Sequence, residues 1–514
     1  MRRQLIPALV RQSKYIHWND EHWAVKNLIK LLGDSEETIR LSVIEELQEE
    51  VKTIPLKPVI WQALNDPNLA VRRLACKLPI RLKWAEMQML RGCLDAETAQ
   101  AAPYRAESAT YLLIQSNPGG TRAALGKAAE SLVRDTYWLA LQGSALKDMA
   151  FAENPPRPGA RLMFNAFQEA SLSVLDRVFW LISADSSEEE VQAVQRALPS
   201  SDPAERANAA EALEAILPPA LARQLCRLLD GSSAEEILAC AETELGMRPP
   251  NLMQVLQNAW TQLNAQNTRP SLSHRLQNFY ADGWLTTIAI YLLTEIQLSD
   301  SRLSISPQAL REALLQTLKA ELRPNVQEAA RLVLSHADVN LKELSMSNSQ
   351  SLTLIEKVIF LKEVPFFNDL SLQEICILAG ISEEESYPAD HKIFSQGDNT
   401  KSLYLVIHGQ VSIQQQTRTG SIVRLKTLGA KNYFAETSLF DGAPHQADVV
   451  TIEAVDILLI RQSTLFTLIR RRPDIGLSLL KALSQRLRET YAQVAQSERA
   501  KPQKLVSLYD KMEK

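Results

Sequence analysis

Cysteine is scarce in this chain. There are five in 514 residues, at Cys76, Cys93, Cys226, Cys240 and Cys376, and no two form a CxxC pair. That excludes a disulfide framework and a Cys-based zinc module, and the aliphatic neighbours of each read as the surroundings of buried thiols in a reducing, cytoplasmic compartment. An excess of positive charge is also missing: 56 Lys+Arg stand against 60 Asp+Glu, for a net charge of −4. A dedicated nucleic-acid binder would show a strongly basic balance, so none is expected. Long apolar runs are absent too. The longest, Trp284 to Leu293, carries two threonines and stops at Glu295, short of the ~18–20 residues that span a bilayer. Any membrane association is therefore expected to be peripheral, at the inner face. In MRRQLIPALVRQ the first apolar stretch is broken by Arg11 before it reaches the length of a signal-peptide core.

Glycine is sparse, at 17 residues, and aromatics make up only 6%. What fills the space is leucine and alanine, a mixture that suits stacked helices. At 514 residues the chain exceeds one ordinary core and should divide into domains or an extended array.

The first two thirds repeat. LIKLLGDSEETIRLSVIEEL around Leu28 and IWQALNDPNLAVRRLACKL around Ile60 align Asp34 with Asp66, Arg40 with Arg72 and Val43 with Ala75. A third copy, VQRALPSSDPAERANAAEALEAIL, keeps Asp202-Pro203 and a stripe of Ala207, Ala210 and Leu213, with Arg206 reading as out of register. Looser copies begin at Asp282 and Leu322, the last with Gln327 at the arginine position. A spacing of roughly 32 residues indicates paired helices stacked as an α-solenoid. Asp at the turn is expected to cap the second helix, Pro to fit its first turn, and the inner Arg to reach a carboxylate of the next repeat. These residues resemble HEAT repeats, over residues 1–345.

A polar stretch, Ser345 to Ser351, marks a linker placed at 346–353. Beyond it the pattern turns to β. Short alternating runs such as SLYLVIHGQVSIQQQ are punctuated by Gly397, Gly409, Gly420, Gly429 and Gly442, which predicts an antiparallel barrel or sandwich. Helical patterns flank it, LIEKVIFLKEV before and a long segment from Pro473 after, and a polar tail is placed at 498–514.

FLKEVPFFNDLSLQEICILAG, YPADHKIFSQGDNTKSLYLVIHGQVSI and LGAKNYFAETSLFDGAPHQADVV together resemble a cyclic nucleotide-binding domain over 354–497. The fold class implied is multidomain: an all-α HEAT-like solenoid, then an antiparallel β-barrel (jelly-roll) domain with flanking helices. The combination resembles the soluble half of bacterial proteins that join a transporter-like membrane domain to HEAT repeats and such a domain.

The resemblance implies a phosphate-binding block. In the family a short helix offers backbone N–H groups to the cyclic phosphate, a Glu accepts from the ribose and an Arg pairs with the phosphate. The pattern maps onto Phe434, Ala435, Glu436, Thr437, Gly442, Ala443, Pro444, His445, Gln446, Ala447 and Asp448. Ala435 stands in place of Gly, His445 in place of Arg and Asp448 in place of a hydroxyl residue. Loss of a buried charge partner costs about 2–5 kcal/mol, and Asp448 at about 5 Å adds repulsion of about 3 kcal/mol at an effective dielectric near 20. A micromolar complex holds about 8 kcal/mol, so millimolar or no affinity follows. Glu436 reads as a ribose ligand or as a capping carboxylate. His445 reads as a solvent-facing loop residue or a pH-sensitive anion ligand.

No catalytic constellation emerges. GGTRAALGK near Gly120 has the wrong spacing for a phosphate loop, His17 and His22 lack further ligands, and Arg470 to Arg472 read as a solvated helix end. Only 22 residues follow Ala492, too few for a DNA-binding winged helix. The expected function is thus a non-enzymatic scaffold or adaptor with a degenerate cyclic nucleotide-binding domain; the alternative is a genuine cyclic AMP or cyclic GMP sensor acting through the solenoid. No cofactor or metal is expected, and a cyclic nucleotide is the one candidate ligand. The expected partner is a protein on the solenoid, with a membrane transporter suggested by the fused relatives. Leu480, Leu483, Leu487 and Val494 form a stripe that fits either a homodimer seam or a cover for the β domain.

Overall fold

The computed structural model describes residues 2–13, 23–34, 37–50, 57–81, 87–95, 102–116, 122–153, 156–200, 202–260, 283–297, 307–320, 323–336, 351–368, 370–416, 422–471, 473, 475–485 and 488. The chain divides into two compact units, Met1–Val326 and Gln327–Lys514. His17, His22, Gly120, Gly420, Arg472, Leu487, Val494, most of the expected linker and the expected tail lie outside the described residues.

The first unit is helical throughout its described residues: α1 Arg2–Ser13, α2 Trp23–Leu32, α3 Glu37–Glu50, α4 Lys57–Ala63, α5 Leu69–Arg81, α6 Met87–Gly92, α7 Pro103–Ser116, α8 Arg122–Ser144, α9 Pro158–Ile182, α10 Glu188–Ala197, α11 Pro203–Ile216, α12 Pro219–Leu229, α13 Ala234–Thr243, α14 Leu252–Ala259, α15 Trp284–Gln297 and α16 Pro307–Ala320. Helix α17, Pro324–His336, follows at the division. Polar residues start several of these helices. Ser187 with Glu190, Ser233 with Glu236 and Asn251 with Gln254 form reciprocal capping boxes, and Asp202 caps α11 ahead of Pro203.

One hydrogen bond recurs. Arg40 donates to the Asp34 carbonyl at 2.8 Å, Arg72 to the Asp66 carbonyl at 2.7 Å and Arg206 to the Ser200 carbonyl at 2.7 Å, each six residues back. The third copy is therefore in register with the first two, with Ser200 rather than Asp202 at the turn position. Burial follows this register: Val43, Ala75 and Ala209 are all buried three residues on, whereas Ala207 is exposed. The expected Asp cap is also displaced in the second copy. Asn68 accepts from the Ala70 and Val71 amides, while Asp66 takes Arg40 at 2.7 Å.

These arginines tie successive turns together. Arg72 reaches Glu107 on α7 at 3.2 Å, and Arg177 on α9 donates to the same carboxylate at 3.0 Å. Both guanidinium groups lie over the Tyr104 ring, and Arg72 also over Trp180. Two buried cations thus share one buried anion, with the aromatic faces offsetting the surplus charge. At the opposite end of α9, Gly159 lets α15 approach closely: an added Cβ would sit 2.8 Å from Glu295 Oε2, which instead accepts from the Gly159 amide at 3.0 Å.

In the second unit, α18 (Leu354–Glu363), the short 3₁₀ turn Pro365–Phe367 and α19 (Leu372–Ile381) precede eight strands. These are β1 Glu383–Tyr387, β2 Lys392–Phe394, β3 Ser402–His408, β4 Val411–Gln416, β5 Ile422–Leu428, β6 Tyr433–Phe434, β7 Asp448–Thr451 and β8 Val455–Arg461. Helix α20 spans Glu436–Asp441, α21 spans Gln462–Arg471, and residues 475–485 are helical.

The strands form two four-stranded antiparallel sheets, β1-β8-β3-β6 and β2-β7-β4-β5. Strand one pairs with eight, two with seven, three with six and four with five, the jelly-roll order. Of the barrel and the sandwich that the sequence pattern left open, the described strands form two open sheets and no closed barrel. At the β6 edge the reason is local: β6 ends after two residues, at the left-handed Ala435. Phe394, Tyr404, Val406, Phe434, Val449 and Ile457 belong to the core of this domain. Gly409 makes the sharp β3–β4 switch at φ +80, where an added Cβ would lie 2.3 Å from the Ala454 carbonyl.

Candidate functional site

The block between β6 and β7 is built from one short helix and its two bends. Ala435 enters α20 at φ +65, a left-handed conformation that costs a non-glycine residue roughly 1–2 kcal/mol. Its carbonyl still accepts the Leu439 amide at 3.1 Å. Gly442 closes the helix at φ +69, its amide on the Ser438 carbonyl at 3.2 Å. The Asp441 carboxylate then takes the Ala443 amide at 2.8 Å.

His445 is not the solvent-facing residue that the sequence suggests. It is only 4% exposed. Its ring stacks on Phe394 with centroids 3.8 Å apart and planes 17° from parallel. Nε2 lies 2.7 Å from the Thr400 hydroxyl and Nδ1 3.0 Å from that of Ser438. Its amide donates to the Asp398 carbonyl at 2.9 Å, and its carbonyl accepts the Gly397 amide at 2.8 Å. Burial pulls the imidazole below its ordinary pKa despite the nearby Asp398. The ring is thus neutral and fully engaged, a pin between the β2–β3 turn and α20.

Asp448 is likewise held. The Gln396 amide donates to Oδ1 at 2.6 Å and Lys392 Nζ lies 2.9 Å from Oδ2. The backbone donor, then Lys392, keep its carboxyl below the usual range, so it is ionised. Its charge is matched by Lys392, however, so the full repulsion expected from the sequence does not apply.

The other residues of the block divide clearly. Phe434 is core, stacked on Tyr404 at 5.0 Å and 6°. Glu436 and Ala447 are half-buried, and Thr437, Pro444 and Gln446 are exposed. The sequence reading missed Phe394, Thr400, Ser438, Lys392 and Gln396. Only Ser438, inside the block, and Gly397-Asp398, beside the others, gave any sign of them.

Comparison with known proteins bears on this domain alone. Residues 384–472 match the cyclic nucleotide-binding domain family. The C-terminal unit holds a cyclic nucleotide-binding domain. The cyclic AMP receptor protein of Thermus thermophilus is 33% identical over 129 residues, 25% of this chain and 60% of that protein. The cAMP-dependent protein kinase regulatory subunit of Mycosarcoma maydis is 30% identical over 122 residues, 24% of this chain and 23% of that one. Among solved structures, the Thermus thermophilus catabolite activator protein is 32% identical over 25% of this chain and 61% of its own, with a TM-score of 0.24. The chain thus spans less than two thirds of the length of each of these three relatives.

Elsewhere the described residues offer little chemistry. They contain no cluster of three or more His, Cys, Asp or Glu side chains placed to hold a metal, and no helix long and apolar enough to cross a membrane. None of the five cysteines is in a disulfide; burial pushes the Cys76 thiol up to about 12 and Cys226 to about 11.

Proposed function

We propose that this chain is a non-enzymatic regulatory protein whose helical unit is a HEAT-like scaffold for a protein partner, and whose cyclic nucleotide-binding domain no longer takes a nucleotide at sub-millimolar concentration. The observation that carries the second half is His445. At the position where the family pattern has an arginine stands a neutral, buried imidazole whose two nitrogens are already engaged by Thr400 and Ser438. A group so placed has no cation and no free donor to offer an anion. The recurring arginine-to-carbonyl bond of three helix pairs supports the repeat reading, and an extended array of such pairs offers a long surface to partners.

A second reading, a working sensor, draws on the likeness to the Thermus thermophilus receptor, which is named for cyclic AMP. Isothermal calorimetry on the full chain separates the two. No heat with cyclic AMP or cyclic GMP at sub-millimolar concentration is expected, and micromolar binding would overturn the scaffold reading. The combined change Ala435→Gly, His445→Arg and Asp448→Thr should create detectable heat, because it relaxes the bend, restores a bidentate donor and removes a negative neighbour.

A further inference from the structure

We infer that the outer edge of β5 takes an extended acidic peptide segment, one that alternates carboxylate and aliphatic side chains, as an added strand. This reading is independent of the nucleotide site and of the helical unit.

The edge is open. Strand β5 ends its sheet and pairs with β4 alone among the described strands. Every residue from Ile422 to Thr427 is exposed, and only Leu428 of this strand enters the core. At about 3.4 Å per residue the exposed stretch is about 20 Å long. Main-chain groups along such an edge are a template for a further strand, so the edge itself selects an extended occupant.

The side chains add apolar contact on both faces. Ile422, Val423 and Leu425 are 68%, 45% and 54% exposed. Neighbouring residues of a strand face opposite ways, so Ile422 and Val423 offer apolar surface on either side, where a strand that served its own core alone would alternate with polar residues. The pairing register skips Leu425, between Ile413 with Lys426 and Gln414 with Arg424. A bulge of this kind re-aims a side chain.

Charge decides the occupant. Arg424 and Lys426 form no ion pair among the described residues. In the same unit Lys392 has Asp448, Lys431 has Glu363 and Arg461 has Glu383. Two uncompensated cations on an open edge call for carboxylates on the incoming strand, because opposite charges across a strand pair attract and like charges repel. A second copy of β5 would set four cations along one seam and is the poorer occupant.

The test uses the full chain and a fluorescein-labelled peptide of about eight residues that alternates glutamate and valine, read by fluorescence anisotropy up to about 1 mM. The matching lysine–valine peptide is its counterpart. The glutamate peptide should bind, the lysine peptide should not, and amides within 422–427 should gain protection from hydrogen exchange. The double change Arg424→Glu and Lys426→Glu, at two exposed positions, should weaken the glutamate peptide at least tenfold and let the lysine peptide bind, a gain that an unfolded variant could not show. No binding of the glutamate peptide would overturn the inference, as would protection confined to amides outside β5 or an affinity that the charge reversal leaves unchanged. A dimer in sedimentation that Leu425→Asp dissolves would assign the edge to a second copy and overturn it equally.

Discussion

Replacing His445 by alanine tests the reading of the β domain most directly, because the histidine holds three segments at once. The ring's stack on Phe394 is worth about 0.5–1.5 kcal/mol. Its removal strands the Ser438 hydroxyl, itself 5% exposed, at about 1–3 kcal/mol, while Thr400 is exposed and can turn to water. The emptied space adds the transfer and cavity cost of a buried ring, so the total is about 3–5 kcal/mol. His445→Phe keeps the stack and the volume and loses only the polar contacts, which places it at about 1–3 kcal/mol. Hydrogen exchange on the full chain reads the effect locally. The Gly397 amide, donated to the residue-445 carbonyl, should lose protection in His445→Ala and lose less in His445→Phe. Acidity supplies an independent arm. The folded pKa of this histidine is depressed, so the unfolded chain binds the proton more readily. The stability due to the neutral ring is fully present above the unfolded value near 6.5 and is lost as pH falls from there towards the folded value. Wild-type protection should therefore weaken on acidification more than that of the alanine variant. Equal exchange at Gly397 in wild type and His445→Ala would refute the pin.

Other perturbations have defined outcomes. Burial raises Glu295 to about 7 from 4.5, so its charge costs stability that grows as pH climbs through that window, by about 3 kcal/mol at most. Glu295→Gln, which still accepts from Gly159, should raise the thermal midpoint of the helical unit above pH 7 and leave it unchanged near pH 4; calorimetric scans at the two pH values decide. Glu107→Gln removes the carboxylate that Arg72 and Arg177 share and should cost about 3–5 kcal/mol, read as an early thermal transition. Ala435→Gly alone should stabilise the β domain by about 1 kcal/mol through relief of the left-handed bend, and a lower midpoint would count against that geometry.

The helix pairs were legible because their signal is local. Leu32, Leu64 and Leu198 are all buried two residues before the turn, as the repeated spacing requires. The register of the third pair was misread because Asp202-Pro203 resembles the Asp-bearing turns of the first two, while the feature that fixes alignment is a side chain on a backbone carbonyl. Ser200 supplies that carbonyl as well as an aspartate does. No residue type encodes it. Alternating apolar residues likewise predicted strands, with the jelly-roll order implied by the family resemblance, but could not tell a barrel from a sandwich of open sheets, since both bury the same faces.

The site failed to be legible for the opposite reason. His445 lies between Pro444 and Gln446, both exposed, and local context makes it a surface residue. What buries it is Phe394 on β2, brought over by the pairing of β2 with β7 through Lys392–Val450 and Phe394–Val449. The same pairing delivers Lys392 and the Gln396 amide to Asp448, so a negative charge that looked like a barrier to anions is already spent on the β2–β3 turn. The two departures from the family pattern are therefore coupled. Histidine and aspartate both fasten the 392–400 segment against the start of β7, and a ligand phosphate would have to compete with that fastening. Restoring the arginine alone gives up the pin and leaves Asp448 in place, which is why the single change His445→Arg is expected to lose stability without gaining binding, and only the triple change to gain it.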